Sequence, residues 1–214
     1  MFKARFSKGN FCSVIETGAL ARAQPHQTGR NLYLIDSKTL YLPRGKYDWA
    51  TFRKSKAGVI VHLIAALVAD HQVPPEAFSL APDSVSNQQE MDVFLNQLAA
   101  LYVFDRGHLN YKCFERIHFD GYFFVSRIKK KSNVLMLQEN PLTSEENDTF
   151  LSAQTVLMGS PSPEAVRYRV ITVKRPWKEP LKLTTNHIQM PALEVAELYQ
   201  ARWQIKLLFK NIRN

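Results

Sequence analysis

With 214 residues, 45% of them hydrophobic, the chain can bury one sizeable core and has room for a second small domain. Its 28 Lys and Arg against 19 Asp and Glu give a formal charge of +9, which makes nucleic acid the first candidate for a polyanionic partner, with a merely basic globular protein an equal alternative on charge alone. Cys12 and Cys113 lie in no zinc-like spacing, the longest apolar run (59–69) is about half of what a membrane helix needs, and no signal-peptide core follows Met1-Phe2-Lys3-Ala4-Arg5, so neither a zinc module nor a membrane anchor nor export is indicated.

Residues 1–30 show no period and read as a remnant or linker, with Gln24-Pro25-His26-Gln27-Thr28-Gly29 as a turn. Three short β-rich runs follow, at 31–35, 39–42 and 58–68, and suggest an antiparallel meander. Pro74-Pro75 and Pro82 then break the chain. Residues 88–100 place Met91, Phe94, Leu95, Leu98 and Ala99 at helical spacing. Leu101-Tyr102-Val103-Phe104 reads as a buried strand ending at Asp105. Residues 109–119 read as a second helix with Leu109, Cys113, Phe114 and Ile117 on one side, and 121–127 as a strand. The order of strands, helix, strand, helix and strand predicts an α/β core over 31–128, with Asp36 and Asp105 ending neighbouring strands.

From 129 to 183 the composition shifts to the basic cluster Lys129-Lys130-Lys131, β-prone pieces such as 168–173, and turns at Pro141, Gly159, Pro161 and Pro163. This stretch reads as an inserted β subdomain. Residues 184–214 complete the core. After Pro191, which suits a first helical turn, 192–212 is strongly helical without a glycine cap, so the chain reads as stopping inside a helix.

Taken singly, an aspartate after a strand is most often a turn former. Asp36 and Asp105 gain weight together, because phosphoryl transfer by two metal ions needs oxygen ligands from separate elements converging on ions roughly 4 Å apart. His62, mid-strand among apolar residues, reads as a core histidine and not as a ligand. The basic stretches 44–56, Lys129 to Lys131 and Lys174-Arg175-Pro176-Trp177-Lys178 suit a DNA backbone, the last pairing cations with an aromatic fit to stack on an unpaired base; a solvated surface is the plain alternative.

Tyr199-Gln200-Ala201-Arg202 with positions 206 and 213 resembles the Y-x2-R-x3-E-x6-K signature of the insertion-sequence-four family of DDE transposases. Asn31 to Ser37 resembles that family's first aspartate motif and Phe104-Asp105-Arg106-Gly107-His108 its second, with further blocks at 49–54, 58–62 and Thr184-Thr185-Asn186. The resemblance implies a ribonuclease-H-like mixed sheet with flanking helices, interrupted by a β-rich insertion before the last helix. It also implies Mg²⁺, with Mn²⁺ as a substitute, on Asp36 and Asp105; insertion-sequence ends and target DNA as partners; and action in a bacterial cytoplasm, at the nucleoid. In the family reaction a metal-activated water nicks the transposon end, and the freed 3′ hydroxyl attacks a second phosphodiester. By the same resemblance, Tyr199, Arg202, Lys210 and Arg213 hold the DNA backbone; the plain alternative is an amphipathic helix with Tyr199, Trp203 and Leu207 partly buried.

Three positions depart from the pattern: Lys206 stands where the catalytic glutamate belongs, Arg213 where the closing lysine belongs, and His108 where an aromatic follows the second aspartate. A protonated ammonium offers a metal no lone pair and repels it. At about 100° per residue, Glu197 and Glu194 lie on other faces of the helix and cannot substitute. The chain is therefore expected to be impaired in catalysis or to be an inactive DNA-binding relic or regulator. Only 35 residues precede Asp36, so it reads as truncated at both ends, and it forms a homodimer only if the dimerisation region is retained.

Overall fold

A computed structural model of the chain describes residues 3–6, 13–16, 31–42, 51–52, 56–67, 73–82, 95, 100–105, 111–159 and 165–211. The chain divides into two compact units, the first Met1–Gln97 with Trp203–Asn214 and the second Leu98–Arg202.

In the first unit the strands are β1 (Lys3–Phe6), β2 (Ser13–Glu16), β3 (Leu32–Leu42), β4 (Thr51–Phe52), β5 (Lys56–Ala66) and β6 (Pro75–Pro82). They run in the order β1-β2-β6-β5-β3, every pair antiparallel, with β4 beside β5. The meander expected from the sequence is present, but two of its members change. The runs at 31–35 and 39–42 are one strand, paired with β5 from Tyr33↔Ala66 to Leu42↔Ala57. The third strand is β6, in the stretch where prolines were expected to interrupt the chain. Pro75 and Pro82 sit at its two ends, where a missing N–H costs the ladder least. Residues 1–30, which carry no period, contribute β1 and β2.

Leu32 to Ile35 are buried without alternation, as in a strand covered on both faces, whereas Ser37 to Thr39 are half-buried and Leu40 and Tyr41 exposed. The change falls at Asp36. His62 is buried in β5 with Ser37 and Ser79 opposite it on the flanking strands, the setting of a core histidine.

The second unit holds β7 (Leu101–Phe104), α1 (Tyr111–Phe119), β8 (Phe123–Arg127), β9 (Val134–Asn140), the single turn α2 (Glu146–Thr149), β10 (Phe150–Met158), β11 (Arg167–Val173), β12 (Leu181–Thr185) and the first half of α3 (Ala192–Asn211). Its strand order is β7-β8-β12-β11-β10-β9, with β7 and β8 parallel and the other pairs antiparallel. The molecule is thus α/β with mixed sheet and flanking helices, as expected. The β-rich stretch after residue 128 adds its strands to the edge of β8 through β12, continuing the same sheet.

Parallel strands need a covered crossover, and α1 supplies it by burying Cys113, Phe114 and Ile117, as its period predicts. Phe114 stacks on Phe124 at 4.6 Å between ring centroids, Phe124 on Phe104 at 5.7 Å, and Tyr168 of β11 closes the cluster at 6.1 Å from Phe124. Cys113 is a buried thiol that accepts from Arg116 Nη2 at 3.6 Å. The helix expected at 88–100 lies outside the described residues, apart from Leu95 and Ala100, as do Cys12 and most of the basic stretch 44–56.

Candidate functional site

β7 is buried along its whole length, and Asp105 is the first residue past its carboxyl end, the place where parallel strands of α/β folds present ligand-binding side chains. The parallel register pairs Phe104 with Ser126, so the next step sets Asp105 beside Arg127, the last residue of β8. Arg127 Nε lies 3.4 Å from Asp105 Oδ1. From α3, Arg202 Nη2 lies 3.5 Å from Asp105 Oδ2, and the Tyr199 hydroxyl donates to Oδ1 at 3.3 Å.

These α3 side chains arrive by helical spacing. Ala192, Val195, Leu198, Tyr199, Arg202, Ile205 and Phe209 form its buried stripe, so Arg202 stands on an otherwise apolar face. Its side chain is 4% exposed, against 25% for Asp105 and 26% for Arg127. The Arg202 guanidinium also lies 5.2 Å from the Tyr199 ring centroid. Burial pushes the Tyr199 phenol above its usual range, with the Asp105 charge and hydrogen bond adding to the rise and Arg202 and Arg127 opposing it. Tyr199 is therefore a protonated donor at neutral pH. The cluster holds one carboxylate among two guanidinium groups and one hydroxyl, a net charge of about +1 suited to an anion.

The other expected site residues distribute as follows. Asp36 does not end its strand: it is the fifth residue of the eleven in β3, opposite Leu63, and 8% exposed. The apolar run stops at Asp36, but the hydrogen-bonded ladder to β5 continues, which a reading of local hydrophobicity cannot distinguish. Lys206 lies one turn beyond Arg202 on α3, with its Nζ 5.0 Å from the Trp203 ring centroid. Trp203 and Leu207, read as partly buried in the amphipathic alternative, are 61% and 49% exposed. Lys210 is exposed near the end of α3, and Arg213 lies outside the described residues, as do Arg106, Gly107 and His108.

Of the basic groups, Lys129, Lys130 and Lys131 are surface residues of the turn between β8 and β9, where Lys130 pairs with Glu179 at 2.9 Å. The hydrogen bond and charge of Lys130 hold the Glu179 carboxyl below its usual range. Arg175 Nε donates to the Glu179 carbonyl at 2.8 Å, and Lys174 Nζ to the Asn147 carbonyl. Between them Trp177 projects fully exposed from the β11–β12 connection, with a left-handed φ of 59°. The two basic segments therefore share one surface, tied by Lys130 and Glu179.

Arg127 is the member of this cluster that sequence reasoning passed over. Its signal was available: a cation closing a buried strand, in the same unit as an aspartate closing another. Asn186, in the Thr-Thr-Asn block, also gains a defined part. Its Oδ1 accepts from Phe124 N at 3.0 Å and its Nδ2 donates to the Tyr122 carbonyl at 2.8 Å, fastening the end of β12 to the start of β8.

Among the described residues no three His, Cys, Asp or Glu side chains gather as a metal-ligand set. None of the helices among them is long and apolar enough to cross a membrane. Residues 27–214 match the family model described as the transposase DDE domain. The chain is 30% identical over 205 residues to y4zB of Sinorhizobium fredii, named as a transposase, covering 92% of this chain and 56% of that protein. It is 23% identical over 188 residues to a Geobacillus stearothermophilus protein named as a transposase of insertion sequence element IS5377, covering 85% of this chain and 48% of that protein. The chain thus spans about half the length of the curated relatives it matches.

Proposed function

The chain belongs to the DDE transposase family, and from that premise we propose that it grips the phosphate backbone at insertion-sequence ends, while Lys206 in place of the third carboxylate impairs cleavage and strand transfer. The observation that carries this reading is the Arg127–Asp105–Arg202 cluster with Tyr199. Two guanidinium groups and a phenol that hold a carboxylate present the same donors to a phosphate. The signature spacing of Tyr199, Arg202 and Arg213 supports the finer placement in the insertion-sequence-four group.

Outside the cluster, Lys129, Lys130, Lys174 and Arg175 track the backbone, and the exposed Trp177 stacks on an unpaired base. Lys210 and Arg213 extend the contact. Action on DNA places the protein at the nucleoid of a bacterial cytoplasm.

The family generally uses a divalent cation, here Mg²⁺ or Mn²⁺, with Asp36 and Asp105 assigned as ligands by their motifs. The donor set does not fit an intact two-ion centre. Position 206 carries an ammonium, and the Asp105 carboxylate already faces two cations. No metal-dependent step is therefore assigned to this chain.

The test is a strand-cleavage and gel-shift assay on labelled duplex with Mg²⁺ or Mn²⁺, comparing the native chain with Lys206→Glu. The native chain is expected to shift DNA with little cleavage. Lys206→Glu should raise cleavage on the order of 100-fold, the scale for one preorganised charge-stabilising group. Efficient cleavage by the native chain, abolished by Asp105→Ala, would overturn the impairment. A second reading, favoured by Lys206 itself, is a non-cutting regulator that occupies ends otherwise used by an active relative. Inhibition of that relative by the native chain supports it.

A further inference from the structure

We infer that Asp105 is the resident anion of the cradle formed by Arg127, Arg202 and Tyr199, and that a DNA phosphate displaces it when it is gripped there, which rests on the phosphate-gripping function proposed for the cluster. The contacts to the carboxylate are loose: Arg127 Nε at 3.4 Å, Arg202 Nη2 at 3.5 Å and the Tyr199 hydroxyl at 3.3 Å. Charge-assisted hydrogen bonds between guanidinium and carboxylate groups are ordinarily about 2.7–2.9 Å. Arg127 Nε is shielded from solvent yet has no hydrogen-bond acceptor among the described residues, because its approach to Asp105 is ionic and misses hydrogen-bond geometry. A buried donor left in that state is uncommon in folded proteins and points to an absent acceptor. Each guanidinium carries several N–H donors in a rigid fork, more than one planar carboxylate satisfies from the end of a strand. A tetrahedral phosphate presents oxygens in several directions and so meets donors that converge from β8 and α3.

Carboxylate and phosphate cannot take the same donors at once, and like charges side by side repel. Asp105 is the member of the cluster with room to turn: its side chain is 25% exposed, and it lies one residue past the end of β7. Arg202, with its side chain 4% exposed, is fixed by the buried stripe of α3, so the exchange moves the carboxylate and leaves the buried guanidinium in place. Only the fraction of molecules with the carboxylate turned away is competent to take a phosphate, and the observed affinity is reduced by that fraction. Asp105 is thereby a brake on DNA binding, built from the same residues that bind.

Fluorescence anisotropy on labelled duplex without divalent cation compares the full chain with Asp105→Asn, Arg127→Ala and the double variant. Asp105→Asn keeps the shape and removes the charge, and should tighten binding about tenfold. Arg127→Ala should weaken binding about tenfold, and adding Asp105→Asn to it should recover no more than about twofold, since a contested donor is gone. Because Arg202 depends on a counter-ion, Asp105→Asn is also melted in inorganic phosphate against chloride at equal ionic strength. About 10 mM phosphate should raise its thermal midpoint by about 3 °C and that of the native chain by less than about 1 °C. Three results would each overturn the proposal: Asp105→Asn no tighter than the native chain while Arg127→Ala binds weakly, a gain of about tenfold that persists in the double variant, or an Asp105→Asn chain that phosphate neither stabilises nor restores to a folded state. Arg127→Ala binding as tightly as the native chain would overturn the phosphate-gripping function as well.

Discussion

Arg202 and Arg127 face the same carboxylate from different degrees of burial, with side chains 4% and 26% exposed, so their loss should be felt unequally. Arg202→Ala removes a buried cation together with the aliphatic stem packed on the α3 stripe, and should lower stability by about 3 kcal/mol. Arg127→Ala, at the wetter side of Asp105, should cost about 1 kcal/mol or less. Urea denaturation of the two variants checks the order; equal costs would mean that the Arg202 stem contributes little. Lys206→Glu gives up a half-exposed cation–π contact with Trp203, worth about 0.5–1 kcal/mol. A folded Lys206→Glu variant is thus a fair probe of chemistry. At this scale the sequence marked Asp105, Tyr199, Arg202 and the anomaly at Lys206, because motif spacing lies along the chain. It did not mark Arg127, whose link to Asp105 comes from the register of two strands separated by a helix.

Elements are fastened to one another at a few polar and turn positions, and these give sharper expectations than the apolar core does. Asn186 is 4% exposed and satisfies the Phe124 N–H and the Tyr122 carbonyl. Asn186→Ala leaves the Phe124 N–H without its acceptor and should cost about 2–3 kcal/mol, read as a lowered thermal midpoint. Gly159 has a φ of +82°, and a Cβ there would meet the Tyr111 ring at 3.2 Å; Gly121 has a φ of +80° with open space around it. Both Gly→Ala changes carry the left-handed penalty of about 1–2 kcal/mol. Gly159→Ala should be the worse of the two, because Tyr111 is held by its hydroxyl, which accepts from Asn133 N at 2.8 Å. Calorimetry on the pair tests whether the ring yields. The β7–α1–β8 unit and α3 were legible from period and composition. β6 was not, since its terminal prolines read as breaks until β2 and β5 were seen to flank it. Nor was the continuity of β3, which depends on the facing strand.

Across the whole chain, the formal charge of +9 and the shared surface of Lys129, Lys130, Lys174 and Arg175 predict DNA binding that weakens steeply with salt. A chain touching about six phosphates should show a slope of about −5 in log K against log salt, and Lys129→Ala should reduce its magnitude by about 1. Fluorescence anisotropy over a salt series measures both; a flat response would reject the backbone-tracking role. The sequence by itself determined the order of most elements and the DDE family, and it marked the lysine at position 206. Each of these is written in composition, local period or fixed spacing. Only the tertiary structure decided that Asp36 lies within a strand, that Asp105 is held between two arginines, and that β9 ends the strand order of its unit among the described residues. Those facts depend on which remote backbone segments share hydrogen bonds, and a strand's own residues do not name its partner.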